Sequence, residues 1–116
     1  MVRIATNRGS GSGVIFETNA SDGSALVLTN FHVIEGATRV DVVVNDRVTH
    51  AGAIQGADAA RDLAVVRICC GVFQAVPFGD AASLRVGAEV VAIGYALGIP
   101  GSATVTRGIV SAVRFE

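Results

Sequence analysis

The chain has 116 residues, of which 51% are hydrophobic, enough apolar mass for the core of one domain and too much for a disordered protein. Ten acidic and nine basic residues give a net charge of −1 and lie scattered, so no nucleic-acid or membrane-surface binding site is predicted. No apolar run approaches the roughly eighteen residues of a membrane span, and the first residues do not have the pattern of a signal peptide.

Fourteen glycines, few aromatic residues and alternating valines favour short strands and tight turns, so an all-β fold is predicted. The predicted strands cover residues 3–6, 11–17, 25–29, 39–44, 47–54, 63–68, 89–94 and 104–113. Six or seven of these eight runs, at this spacing, suit a small closed antiparallel barrel, because closure removes exposed sheet edges.

Three connections carry local signals. Asn45 and Asp46 tolerate positive φ and predict a two-residue hairpin, and residues 32–36 suit one helical turn that ends at a glycine. The glycine-rich residues 9–13 are followed by no lysine and do not fit a G-x-S-x-G elbow, so they predict backbone that passes close to a bound chain or a neighbouring strand.

Cys69 and Cys70 follow one of the predicted strands and are adjacent in the sequence. Neighbouring residues rarely reach relaxed disulfide geometry, so free thiols are predicted. Neither these cysteines nor the two histidines, His32 and His50, have the spacing of a zinc site. No metal and no cofactor is predicted.

His32 and Asp62 form a candidate pair, since each lies at the end of a β-like run. An imidazole that takes a proton from a nucleophile needs a carboxylate to set its tautomer and to stabilise the cation that forms. The two residues therefore predict two members of a nucleophile-activating triad.

Five segments occur in an order that carries a family resemblance: GSGVI at 11–15, LTNFHVI at 28–34, RDLAVV at 61–66, VVAIG at 90–94 after Gly87, and VTRGIVS at 105–111. Their combination resembles the trypsin-like serine proteases of the HtrA/Deg type. That family has two six-stranded barrels with the active site in the cleft between them, and its triad runs histidine, aspartate, serine along the chain.

The resemblance implies that residues 1–116 form one domain, the N-terminal Greek-key barrel of the double barrel, with the second barrel absent. It implies that His32 is the general base and Asp62 the carboxylate that orients it. Asp58 is a second candidate carboxylate that lacks the following LAVV strand, and His50, in mid-hairpin, is expected to be structural. No segment like the family's G-N-S-G-G-P nucleophile motif occurs in these residues, so the isolated chain is predicted to be inactive.

The resemblance further implies a serine endopeptidase of bacterial extracytoplasmic space, periplasmic or secreted, that acts on polypeptides. Its partners would be those substrates and the second barrel. The loop after VVAIG reads Tyr95-Ala96-Leu97-Gly98 where many relatives carry Asn-Pro, so local substrate contacts do not transfer. The alternative is a non-catalytic barrel that binds peptides or serves as a scaffold.

The isolated domain is also expected to self-associate, because a barrel evolved against a second barrel keeps an apolar docking face. Phe115 and the loop at residues 95–101 are expected near that contact.

Overall fold

The computed structural model describes residues 1–95 and 104–113, and its main unit is a closed barrel. Its six strands are β1 (Val2–Thr6), β2 (Gly9–Asn19), β3 (Ser24–Thr29), β4 (Val40–Val44), β5 (Val48–Asp58) and β6 (Leu63–Ile68). They lie in the order β1-β2-β3-β6-β5-β4, all neighbours are antiparallel, and β4 returns to pair with β1. The predicted all-β antiparallel barrel is confirmed.

The interior of the barrel is filled by side chains that point inward from alternating positions of the strands. In β1 and β3 the side chains of Ile4 and Val27 are fully buried, and so is Val66 of β6, which is paired with Val27 on the neighbouring strand. Side chains alternate between the two faces of a strand, so valine-rich runs place every second residue in this interior. Among the described residues, the buried apolar cluster consists of Val2, Ile4, Ile15, Ala25, Val27, Ile34, Val40, Val42, Ala64, Val66 and Ile68.

Both predicted connections are present, one of them longer by a residue. Asn45 and Asp46 take the expected positive φ values, 53° and 56°, but Val44 pairs with Val48, so three residues join β4 to β5 where two were predicted. One helical turn, α1 (Phe31–Ile34), follows β3, and Gly36 comes after it with φ of 69°, a conformation that glycine adopts without steric cost.

The last two predicted strands do not belong to the barrel, whose six strands are β1 to β6. Among the described residues, β7 (Glu89–Gly94) and β8 (Thr104–Ile109) pair only with each other, in a separate two-stranded sheet that we call the hairpin. The barrel needs no further strand because β1 and β4 already pair along their whole lengths. A linker of residues 69–88, with one 3-10 turn at Ala81–Ser83, connects the two units.

The prediction of free thiols was also wrong, since Cys69 and Cys70 are joined as a disulfide. Cys70 has φ of 77°, in the left-handed region, which turns its side chain back towards that of its neighbour. Its backbone N–H donates to the carbonyl of Gly23 at 2.8 Å and holds this turn against the β2–β3 loop.

Candidate active site

His32 lies on α1 with its side chain directed away from the core. Phe31 and Val33 pack against the barrel interior and Ile34 is buried within it, whereas the side chain of His32 is 67% exposed. Three apolar anchors in a four-residue turn hold the fourth side chain outward. The imidazole therefore stands on the surface on a rigid support.

Asp62 occupies the turn between β5 and β6, directly before Leu63. It has φ of 55°, which a short polar side chain tolerates better than most, and its N–H donates to Ala59 O at 3.3 Å. β3 pairs with β6 in a register that sets Thr29 opposite Ala64. That register brings the start of β6 beside α1 and so joins residues thirty positions apart.

His32 and Asp62 make two contacts with each other. The imidazole Nδ1 lies 2.7 Å from Asp62 Oδ2, and the backbone N–H of His32 donates to Asp62 Oδ1 at 2.8 Å. The carboxylate is thus held at both oxygens, and it sets the plane and direction of the ring.

Hydrogen bonding also keeps this carboxylate ionised. The backbone N–H of His32, and next its imidazole, lower the pKa of Asp62 below its ordinary value. An ionised carboxylate only accepts hydrogen bonds, so the imidazole donates from Nδ1 and keeps the Nε2 lone pair free to take a proton. The arrangement is that of a base whose tautomer is selected.

Asn30 is a further member of this site that the sequence pattern did not reveal. It precedes α1 at the N-cap position, yet its side chain makes no capping hydrogen bond. Instead Nδ2 donates to the carbonyl of Asp62 at 3.1 Å and holds the left-handed turn in place. An amide at a helix start ordinarily signals a cap, so only the fold shows this second use.

The other two candidates lie elsewhere. Asp58 Oδ1 accepts from the N–H of Arg61 at 3.2 Å, and its Oδ2 lies 3.8 Å from the Arg61 guanidinium. His50 packs edge-on against Phe73, with 5.0 Å between ring centroids. The structure brings neither residue to the imidazole of His32.

An open pocket adjoins the exposed side of His32. It lies between the β1–β2 turn, which contributes Arg8, and the end of α1, which contributes Glu35. Within residues 1–95 and 104–113, no group of three or more His, Cys, Asp or Glu side chains has metal-site geometry. No helix in the same described part is long and apolar enough to cross a membrane.

Comparisons with known proteins identify the family of the chain. The family model for trypsin-like peptidase domains matches residues 11–115. A Do-like serine protease HtrA of Bacillus subtilis is 45% identical over 109 residues, which are 93% of this chain and 24% of that protein. A second protease of the same organism, the Do-like HtrB, is 42% identical over 86% of this chain and 22% of its own length.

Solved structures show the same relationship in three dimensions. The HtrA-type protease AlgW with a tripeptide superposes with a TM-score of 0.84 at 32% identity, over 96% of this chain and 36% of that one. AlgW with a decapeptide gives a TM-score of 0.75 at 35% identity, over 90% of this chain and 29% of its own. The chain spans about a quarter of the length of these curated relatives. It belongs to the trypsin-like peptidase domain family and is similar to the HtrA-type serine proteases within it.

Proposed function

We propose that this chain is the base-carrying part of an extracytoplasmic serine endopeptidase of the HtrA type. His32 is the general base, Asp62 is the carboxylate that orients it, and a serine beyond these residues, in a second barrel, is the nucleophile. The observation that carries the proposal is the 2.7 Å contact between His32 Nδ1 and Asp62 Oδ2. The family match and the HtrA-type relatives support the same reading.

In this mechanism the free Nε2 of His32 takes the proton of the serine hydroxyl as its oxygen attacks the scissile carbonyl. Asp62 stabilises the imidazolium that forms, through the Nδ1 hydrogen bond. The same Nε2 then gives the proton to the leaving amine. The exposed ring and the adjoining open pocket leave room for an extended substrate on this side of the barrel.

Polypeptides are the proposed substrates. The AlgW relatives are described with a tripeptide and with a decapeptide, and the pocket beside His32 is open to the surface. The pocket beside His32 carries one charge of each sign, on Arg8 and Glu35. We therefore expect it to accommodate charged side chains of the substrate.

The test compares the isolated chain with a longer protease in which it continues into the serine-carrying segment. The isolated chain is expected to cleave neither casein nor fluorogenic peptides. In the longer protease, His32→Ala should lower kcat by several orders of magnitude with KM within a few-fold, and Asp62→Asn should cost on the order of 10⁴. His50→Ala is the matched histidine control and should leave kcat unchanged.

Two outcomes would count against the assignment. A loss smaller than tenfold for Asp62→Asn would mean that another carboxylate holds the ring, and Asp58→Asn would then be tested next. Turnover by the isolated chain that His32→Ala abolishes would mean that a nucleophile lies within these 116 residues. A full-length protein without any serine-carrying segment would favour the peptide-binding alternative.

The partner of the hairpin is proposed to be the second barrel, or another copy when the chain is isolated. One face of the hairpin exposes apolar side chains, those of Val91, Ile93, Val105 and Ile109. The same face carries Glu89 and Arg107, and exposed apolar side chains bordered by charged ones are typical of interaction surfaces. The expected participants at residues 96–101 and Phe115 lie outside the described residues.

Sedimentation velocity over a micromolar concentration series tests this partner proposal. The isolated chain is expected to associate, and Ile109→Thr is expected to weaken that association because it places a hydroxyl on the apolar face. A single monomer peak at every concentration would contradict it.

A further inference from the structure

Ser12 joins the barrel to the hairpin. Its hydroxyl accepts a hydrogen bond from the N–H of Tyr95 at 2.6 Å and donates to the carbonyl of the same residue at 3.4 Å. Tyr95 directly follows β7, and both residues are partly buried. A serine hydroxyl has one donor and two acceptor positions, so one side chain serves both backbone groups of a residue 83 positions away.

This contact is the hydrogen-bonded connection between the two units. Over residues 1–95 and 104–113, no other hydrogen bond or ion pair links a barrel strand to β7 or β8. The backbone of Gly94 also lies close, since a Cβ built there would stand 3.3 Å from Ser12 Oγ. A two-stranded sheet is at best marginally stable alone, so its placement depends on contacts of this kind.

The backbone of Ser12 is in turn held against the element that carries His32. Its carbonyl accepts from Thr29 Oγ1 at 2.7 Å, and Thr29 is two residues before α1. Gly11 lies so close to Val33 of α1 that a Cβ there would stand 2.5 Å from Val33 Cγ2. Strand alternation points the Cβ positions of Gly11 and Gly13 inward, against Val33 and Val27, and the side chain of Ser12 outward, towards Tyr95.

We propose that Ser12 is a positioning residue that sets the hairpin, and the chain that follows it, at a defined place relative to His32. Its hydroxyl holds Tyr95 at the end of β7, and its carbonyl holds Thr29 of β3, two residues before α1. One residue therefore links the strand that leads into the base to the part of the protease that leads to the nucleophile. The effect of Ser12 on catalysis rests on the proposed function. Its structural effect, which is that the hairpin has one orientation on the barrel, is independent of that function.

The structural part is tested on the 116-residue chain by residual dipolar couplings of backbone N–H groups. In the unmodified chain, barrel and hairpin couplings should fit one alignment tensor. In Ser12→Ala the barrel couplings should keep that tensor and the hairpin couplings should no longer fit it. Ser12→Thr retains a hydroxyl and should keep a single tensor. Thr18→Ala, a hydroxyl removed from the far end of β2, should change neither set.

The catalytic part is tested in the longer protease. Ser12→Ala should lower kcat by about 10- to 100-fold with KM within a few-fold, since misplacement by about 1 Å costs this much. Ser12→Thr should restore most of the rate, and Thr18→Ala should match the unmodified enzyme.

A hairpin that keeps the barrel's tensor in Ser12→Ala would overturn the inference, and so would an unchanged kcat or a Ser12→Thr variant that behaves like Ser12→Ala. Failure of the proposed function is separate, because then His32→Ala would leave the rate unchanged whatever Ser12 does.

Discussion

Strands β6 and β7 are similar in composition and opposite in environment. β6 reads LAVVRI and β7 reads EVVAIG, yet Val66 in β6 is fully buried whereas Val91 in β7 is 55% exposed. β6 lies between β3 and β5 in a closed barrel, and β7 has only β8 beside it. The comparison teaches that pairing partners, more than the strand's own residues, decide whether an apolar strand is buried.

The difference separates two tasks. The barrel is a closed unit that holds His32 and Asp62 on its surface. The hairpin is an open unit in which each strand has an edge that no other described strand pairs with. Substitutions should therefore cost stability in the barrel and little in the hairpin. Three experiments test how far this contrast holds.

The largest contrast is expected between two isoleucines. Ile4 is fully buried in the barrel, so Ile4→Ala should lower the free energy of unfolding by about 2–5 kcal/mol through lost burial and a cavity. Ile109 in β8 is 64% exposed, and Ile109→Ala should change the free energy of unfolding by less than about 0.5 kcal/mol. Urea denaturation followed by far-UV circular dichroism measures both. Equal losses would mean that hairpin and barrel share one core.

A smaller contrast is expected between two glycines. A Cβ at Gly13 would stand 2.7 Å from Val27 Cγ1 inside the barrel, so Gly13→Ala should destabilise by about 1–3 kcal/mol. Gly108 in β8 has no neighbouring atom within 4 Å of such a Cβ, and Gly108→Ala should be neutral or slightly stabilising. Thermal melts of both variants decide the matter. An unchanged melting temperature for Gly13→Ala would mean that β2 and β3 can shift to accommodate the added methyl group.

The smallest effect concerns acid. The pKa of Asp62 is lower in the folded chain, chiefly through the backbone N–H of His32, so its contribution is present above the unfolded pKa and is lost as pH falls through the folded one. Asp62→Asn should therefore show a shallower loss of stability below about pH 4. Asp22, whose pKa Ser24 lowers, remains to titrate in this variant. Urea midpoints from neutral to acid pH measure the slope, and parallel curves would contradict the expectation.

Much of the barrel was predictable because its signals are local. Alternating valines mark the strands, and Asn45-Asp46 marks a turn that needs two positive φ values. His32 and Asp62 were predicted as a pair from their positions at strand ends, and the β3–β6 register brings them into contact. Their chemical roles remain a proposal.

The remaining features depend on contacts between distant segments. Which partner β8 takes is decided by whether β1 and β4 have already closed the barrel, and no local pattern reports that. From the sequence alone, Asn30 is expected to be a helix cap, and Ser12 is expected only to be a small residue between two glycines. Their partners, the carbonyl of Asp62 and the backbone of Tyr95, lie 32 and 83 positions away.

The position of Tyr95 has an optical consequence. The sequence has one tyrosine and no tryptophan, so ultraviolet emission excited above the phenylalanine band comes from the joint between the two units and from no core position. Circular dichroism in the far ultraviolet, in contrast, is dominated by the six barrel strands. Denaturation curves recorded with the two signals would coincide only if the joint opens when the barrel unfolds. A difference between their midpoints would measure how much earlier the joint opens.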